Sequence, residues 1–165
     1  MYLEISQLSE PLFEPVLKVL DTVARERRFL PFTDAPGIDL VREYYRKVVE
    51  SDCVFHVALV EGNVVGWCDV LPVGGQAREH VGILGIGLVP EMRSQGIGRK
   101  LIEFSIARAL AKGITRIELT VRADNLNARA LYDSVGFESE GLSKRAFRID
   151  GEYFDTYAMA FLSHR

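Results

Sequence analysis

VGILGIGLVPEMRSQGIGRKLIEFSIARALAKG, residues 81–113, reads as a strand, a tight loop and a helix in one run. Residues 81–89 are apolar and glycine-rich, and RSQGIG at 93–98 carries two glycines and an arginine but no proline. The helix that follows is predicted to turn Ile97, Leu101, Phe104 and Ile106 or Ala109 inward and to stop at Gly113. Backbone N–H groups at a helix N-terminus lack partners, so this loop suits an anion. A P-loop would need Gly-Lys-Ser/Thr at its end, whereas Gly98 is followed by Arg99, Lys100 and Leu101. A dinucleotide fingerprint would need a third glycine, but Gly96-x-Gly98 runs on to Leu101 and Gly85-x-Gly87 to Pro90. What remains is a short amide cradle with Arg93 beside it, suited to a diphosphate without a required metal. Glycine weakens a strand, so Gly82, Gly85 and Gly87 predict close approach of another group, a ligand among the candidates.

Working outward, residues 2–8 form a short strand, and Ser9 stands as N-cap before a helix with the stripe Leu12, Val16, Val19, Leu20, Val23. After the loop RFLPFTDAPG, IDLVREYYRKVVES forms a second helix with Leu40, Val41, Tyr44, Tyr45 and Val48 available for packing. CVFHVALV and VVGWCDVLP read as a hairpin about the turn EGN, and PVGGQAREH as a flexible loop before the glycine-rich strand. TRIELTV alternates with Ile117, Leu119 and Val121 on one face, NLNARALYDSVGF is a short helix ended by Gly136, and two strands follow around Asp150-Gly151. The order is strand, two helices, three strands, helix, strand, helix, two strands. It predicts a single α/β domain over residues 1–165, a mixed sheet with helices on both faces.

The chain has 165 residues, enough for one domain with its own core. Hydrophobic residues make up 48% and charged residues 26%, the balance of a soluble globular chain. No apolar run approaches the roughly 18 residues of a membrane helix, and the N-terminus has no secretory pattern, so no membrane partner and a cytoplasmic location are expected. A net charge of −3 without a basic block argues against nucleic-acid binding. Cys53 and Cys68 lie in strand-like runs without metal-ligand spacing and are expected as buried free thiols.

A second informative stretch is NLNARALYDSVGF, residues 125–137, in which seven positions separate Asn125 from Tyr132 and place both on one side of a helix. Together with Arg93-x-x-Gly96-x-Gly98, it resembles the GCN5-related N-acetyltransferase superfamily, most strongly over residues 82–137. The fold this implies is that family's mixed, mostly antiparallel sheet flanked by helices on both faces, and the ligand is acetyl-CoA as co-substrate, with no metal. The amides of Arg93, Ser94, Gln95, Gly96, Ile97 and Gly98 would hold the pyrophosphate, with Arg99 or Lys100 either adding charge or standing as solvated helix residues. The strand at 81–89 would splay from the next one and offer Leu88 and Val89 backbone to pantetheine, an N–H near Leu88 polarising the thioester oxygen. Asn125 would bond the coenzyme arm, a role compatible with a plain helix N-cap.

Acetyl transfer to an amine needs a neutral amine, a stabilised oxyanion and a proton for the departing thiolate. Tyr132 is the candidate proton donor, since a thiol near 8.5 and a tyrosine near 10 make that transfer nearly balanced; the alternative is a half-buried packing tyrosine. Glu79 and His80, where the loop enters the glycine-rich strand, are the candidate bases, directly or through water; both also read as surface or structural groups. His56 is expected to be structural, and Trp67 either core or a wall of the acceptor pocket. Arg27, Arg28 and Phe32 could hold a carboxylate and an apolar side chain, or be ordinary surface residues.

The reading is an acetyl-CoA-dependent N-acetyltransferase acting on a small primary amine, an amino acid or related compound, by direct attack in a ternary complex. The C-terminal stretch EGLSKRAFRIDGEYFDTYAMAF also resembles N-terminal acetyltransferases of ribosomal proteins, which keeps a protein N-terminus as an alternative acceptor. A non-catalytic acyl-CoA-binding module would keep Arg93, Gly96, Gly98 and Asn125 without needing Tyr132. A structural interaction domain would bind no coenzyme. The resemblance also implies a homodimer.

Overall fold

The computed structural model describes residues 1–164. Its order is β1 (Leu3–Gln7), α1 (Phe13–Arg25), α2 (Ile38–Glu50), β2 (Val54–Val60), β3 (Asn63–Pro72), β4 (Val81–Leu88), α3 (Ile97–Ala111), β5 (Arg116–Arg122), α4 (Leu126–Ser134), β6 (Glu138–Ile149) and β7 (Glu152–Leu162). The seven strands form one sheet in the order β1-β2-β3-β4-β5-β7-β6. Every neighbouring pair is antiparallel except β4 and β5, which run parallel. The element order and fold class expected from the sequence are those observed.

Two apolar layers hold the helices to the sheet. On one face Phe13, Val16, Val19 and Val23 of α1 and Val41, Tyr45 and Val48 of α2 close over Phe55, Val57 and Trp67. On the other, Leu101, Ile102, Ile106 and Ala109 of α3 and Tyr132 of α4 share a cluster with Cys68, Val70, Ile117, Leu119 and Val121. Alternation along β5 puts its three apolar residues on the α3 side, as the pattern of TRIELTV predicts. The opposite face of β5 and β7 is open, with Thr120 and its partner Ala158 both exposed.

Local departures from the sequence reading have simple causes. Ser9 makes no side-chain cap; its carbonyl accepts the Leu12 N–H at 2.8 Å, and a 3₁₀ turn over Glu10–Leu12 takes up Pro11 before α1 begins. Pro15 then falls in the first helical turn, where its missing N–H has no partner to lose. On α2 the inward row is Val41, Tyr45, Val48, one position round from Leu40 and Tyr44, which are exposed. On α3 the expected Phe104 is 51% exposed while Ser105 is buried, because Ser105 Oγ meets His56 Nδ1 at 2.8 Å across the layer. Segment 72–80 contains a 3₁₀ turn over Gln76–Arg78.

Candidate active site

The two central strands stay together for only three residue pairs, Val81 with Arg116, Gly82 with Ile117 and Ile83 with Glu118. Beyond them a gap opens, and ladder alternation shows what faces it. Val89 N–H bonds Val65 O at 2.9 Å, so in an antiparallel ladder residues 89, 87 and 85 turn their amides to β3 and residues 84, 86 and 88 turn theirs away. The N–H groups of Ile86 and Leu88 therefore open on the gap, whereas Val89, expected to offer its backbone to a ligand, has its N–H committed. Ile86, Gly87 and Leu88 on one side and Thr120, Val121 and Arg122 on the other line a cavity of about 850 Å³.

At one end the cavity meets the loop 93–98. Ser94 (φ 60°) and Gly96 (φ 83°) adopt left-handed backbone, which points successive amides into one concavity, an anion nest. The first α-helical bond runs from Lys100 N–H to Gly96 O at 3.2 Å and no side chain caps the helix, so the amides of Ile97, Gly98 and Arg99 are uncommitted. Ser94, Gly96, Gly98 and Arg99 line the cavity. Only Gly96 needs its conformation; a Cβ on Gly98 would sit 3.4 Å from Leu131 and 3.5 Å from Leu88, so there glycine serves open approach. The Ile97 side chain is buried in the core, leaving only its amide for a ligand, and Gln95 points away, donating to Glu91 O at 2.9 Å.

The charged side chains of this end are mostly engaged. Arg93 turns inward: Nη1 bonds Glu26 Oε2 at 2.8 Å, Nη2 bonds Leu88 O at 2.8 Å, and the guanidinium lies 4.8 Å from the Phe29 ring centre. It clamps the Leu88 carbonyl and leaves the Leu88 N–H as the open half of that residue's backbone. Arg99 bonds Glu103 at 2.9 Å and Ser134 Oγ at 2.6 Å, bridging α3 and α4. Lys100 is exposed and off the cavity wall. A diphosphate here would be met chiefly by amides, as the loop's composition predicts.

Asn125 caps α4, its Oδ1 accepting the Ala128 N–H at 3.2 Å, and it lines the cavity as well, so both readings of it coexist. Tyr132 is 8% exposed on the cavity wall. Among the described residues its hydroxyl has no hydrogen-bond partner, yet it is not a sealed unsatisfied atom, so the oxygen opens on the cavity. Burial, with Cys68 nearby, pushes the phenol above its ordinary value. It therefore holds its proton more firmly than the near-balance with a thiol implies, which keeps the phenol protonated and able to donate while making transfer to a departing thiolate less nearly balanced.

The far end is built from the end of α1 and the loop after it. Val23, Arg28 and Phe29 line it, while Phe32 does not and is 38% exposed. Arg27 is not free: it bonds Asp150 through Nη2–Oδ1 at 2.7 Å and Nε–Oδ2 at 3.1 Å, joining the loop to the hairpin tip. Arg122 stacks 3.5 Å over Phe154 and bonds Asp124 at 2.6 Å and 3.0 Å. Among the described residues Arg28 forms no ion pair.

Glu79 and His80 are not brought to the site. They are exposed at the start of β4, where His80 O accepts the Thr115 and Arg116 amides, and six residues of strand separate His80 from Ile86, roughly 20 Å. His56 is buried, its ring bonded to Ser105, and burial lowers its pKa, consistent with a structural role. Trp67 is core. A Cβ on Gly87 would lie 2.4 Å from its ring, one on Gly85 3.2 Å from the Asp69 carboxylate, and one on Gly82 2.6 Å from Val70. The close approach that the glycines signalled thus comes from neighbouring side chains. Asp69, Glu26, Phe29 and Arg122 escaped the sequence reading, and the glycines opposite Asp69 and Trp67 were the only local hint.

Among the described residues no group of three His, Cys, Asp or Glu stands close enough to hold a metal, and no helix is long and apolar enough to cross a membrane. The chain is 35% identical over 105 residues to the L-amino acid N-acetyltransferase AaaT of Escherichia coli (strain K12), covering 63% of this chain and 65% of that protein. It is 36% identical over 98 residues to the N-alpha-acetyltransferase RimI of Mycobacterium tuberculosis (strain ATCC 25618 / H37Rv), covering 59% of each. Both matches span less than two thirds of the relative's length. In fold it superposes with a TM-score of 0.91 on a phosphinothricin acetyltransferase from Sinorhizobium meliloti in complex with AcCoA, at 21% identity over 99% of this chain and 90% of that one. Residues 19–137 match the model of the acetyltransferase (GNAT) family, and with the nest loop, the parted strands and the α4 tyrosine in place, the chain belongs to that family.

Proposed function

We propose that the protein is an acetyl-CoA-dependent N-acetyltransferase that acylates the primary amine of a small molecule, an amino acid or related amine, by direct attack in a ternary complex. The observation that carries the reading is convergence. The open amides of Ile86 and Leu88, the uncommitted amides at the start of α3 and the Tyr132 hydroxyl all face one cavity. The loop amides would hold the pyrophosphate, the open strand amides would pair with pantetheine and polarise the acyl oxygen, and Tyr132 would supply the thiol's proton. A hydroxyl with no structural partner facing the cavity favours an enzyme over a binding module.

For the acceptor, the unpaired Arg28 beside Phe29 suits a carboxylate with an apolar side chain. Likeness to RimI supports the second reading, a protein N-terminus. A cytoplasmic location and homodimerisation belong to the same proposal, the first supported by free Cys53 and Cys68. The test is thiol release from acetyl-CoA against amino acids, polyamines, amino sugars and short peptides, with calorimetric binding alongside. Turnover with free amino acids supports the first reading and turnover with peptides alone the second. Absence of acetyl-CoA binding overturns both.

A further inference from the structure

An attacking amine must shed a proton, and the residues that chain order offered for this stand at the wrong end of β4. We propose that Asp69 on β3 is the proton acceptor for the incoming amine, held in place by Trp67; the inference rests on the acetyl-transfer reading above.

The geometry begins with two missing side chains. Asp69 pairs across the strands with Gly85, and Trp67 with Gly87. Any Cβ at these two positions would meet the Asp69 oxygens at 3.2 Å and 3.3 Å and the indole ring at 2.4 Å, so β4 forgoes both and the carboxylate and the indole lie directly on it. Between the two glycines is Ile86, whose N–H opens on the gap, and Gly87 itself lines the cavity. The carboxylate, partly exposed and on the α1–α2 face of the sheet with Trp67 and Val23, thus lies over Gly85, one residue from the Ile86 amide that opens on the gap, and just outside the residues that line the cavity.

Its surroundings are those of a base. The Trp67 indole N–H donates to Asp69 Oδ2 at 3.1 Å and fixes the carboxylate's orientation. Among the described residues no Lys, Arg or His pairs with it. The titratable groups that feel its charge are Tyr44 and Tyr45 on α2, Cys53 before β2 and Cys68 on the opposite face of β3, all with raised values and so neutral near pH 7. Burial pushes the Asp69 carboxyl up to about 7, against the Trp67 and Gly85 N–H groups that favour the anion. An indole N–H alone could be satisfied by a neutral amide oxygen, without the cost of a half-buried charge lacking a cation.

The protons balance. The ammonium gives one proton to Asp69 and becomes the free amine. As its nitrogen bonds the acetyl carbon and the carbon–sulfur bond breaks, Tyr132 protonates the sulfur. The surplus proton on nitrogen restores the phenol, and Asp69 returns its proton to solvent.

Asp69→Asn keeps the shape of the side chain and an oxygen for the indole, so the fold is expected to survive. Thiol release would be followed with the twenty L-amino acids from about pH 5.5 to about pH 9.5, with calorimetric acetyl-CoA binding in parallel. The expected result is a wild-type kcat that falls about tenfold per unit below about pH 7, and an Asn variant reduced roughly 10²–10⁴-fold at neutral pH, its acid limb displaced upward to the amine's own ionisation and its acetyl-CoA affinity within about twofold. Trp67→Phe, which removes a bond favouring the anion, is expected to move the limb to higher pH while activity persists on the alkaline side. An Asn variant that keeps both rate and limb overturns the assignment. A wild-type protein that binds no acetyl-CoA overturns the acetyl-transfer reading and the inference with it.

Discussion

The two ends of the cavity are built from different materials. At the loop end the groups facing the cavity are mostly backbone amides, fixed by the left-handed Ser94 and Gly96 and by the first turn of α3. At the other end they are side chains, Arg28 and Phe29 on the loop after α1. An amide cradle is independent of side-chain identity except where conformation or space demands glycine, so it can serve one invariant ligand. Side chains on loops can be exchanged without disturbing the sheet, so they can serve many. On the proposed reading the shared reactant belongs to one end and the discriminating one to the other.

Substitutions can break that division, beginning where the ends meet. Tyr132→Phe is expected to lower kcat by roughly 10²–10³-fold while acetyl-CoA binding and acceptor KM stay near wild type; full activity in stopped-flow thiol release would remove Tyr132 from the chemistry. Gly96→Val forces a β-branched residue into left-handed backbone and collapses the nest. Calorimetry should show acetyl-CoA affinity down by about tenfold or more, with a strain cost of about 1–2 kcal/mol in urea unfolding. Arg28→Gln should act only at the other end, raising KM for carboxylate-bearing amines by about tenfold and leaving amines without a carboxylate unchanged. If both classes suffer alike, the acceptor end is not read by charge. Arg27→Ala removes an exposed ion pair worth about 1 kcal/mol or less and touches neither end's lining, so thermal stability and acceptor preference should barely move.

The same division explains what the sequence disclosed. The loop end is local: R93-S-Q-G-I-G and N125-to-Y132 each lie in one continuous run, and backbone conformation follows from glycine placement over a few residues. The far end is assembled from segments distant in sequence, Arg122 bonding the Arg27 carbonyl 95 positions away for one, and no local pattern reports such a meeting. Glu79 and His80 adjoin β4 in sequence, but an extended strand carries its two ends far apart, so adjacency to its start says nothing about its finish. Phe29 and Phe32 are equally apolar neighbours; only the path of the loop decides which faces inward. Arg93 was legible as part of the motif, but its partner Glu26, 67 positions away, was not.

The short parallel ladder between β4 and β5 has a mechanical consequence. Three residue pairs join the halves of the sheet at one margin, so the two strands have the shape of tweezers, joined at Val81–Ile83 with the tips at Leu88 and Arg122. An extended ligand arm bonded between the tips would act as a wedge that stiffens both blades. Hydrogen exchange at Ile86 and Leu88 would then slow only when the ligand is present, and the melting temperature would climb with ligand concentration, so that the reactant itself completes the sheet.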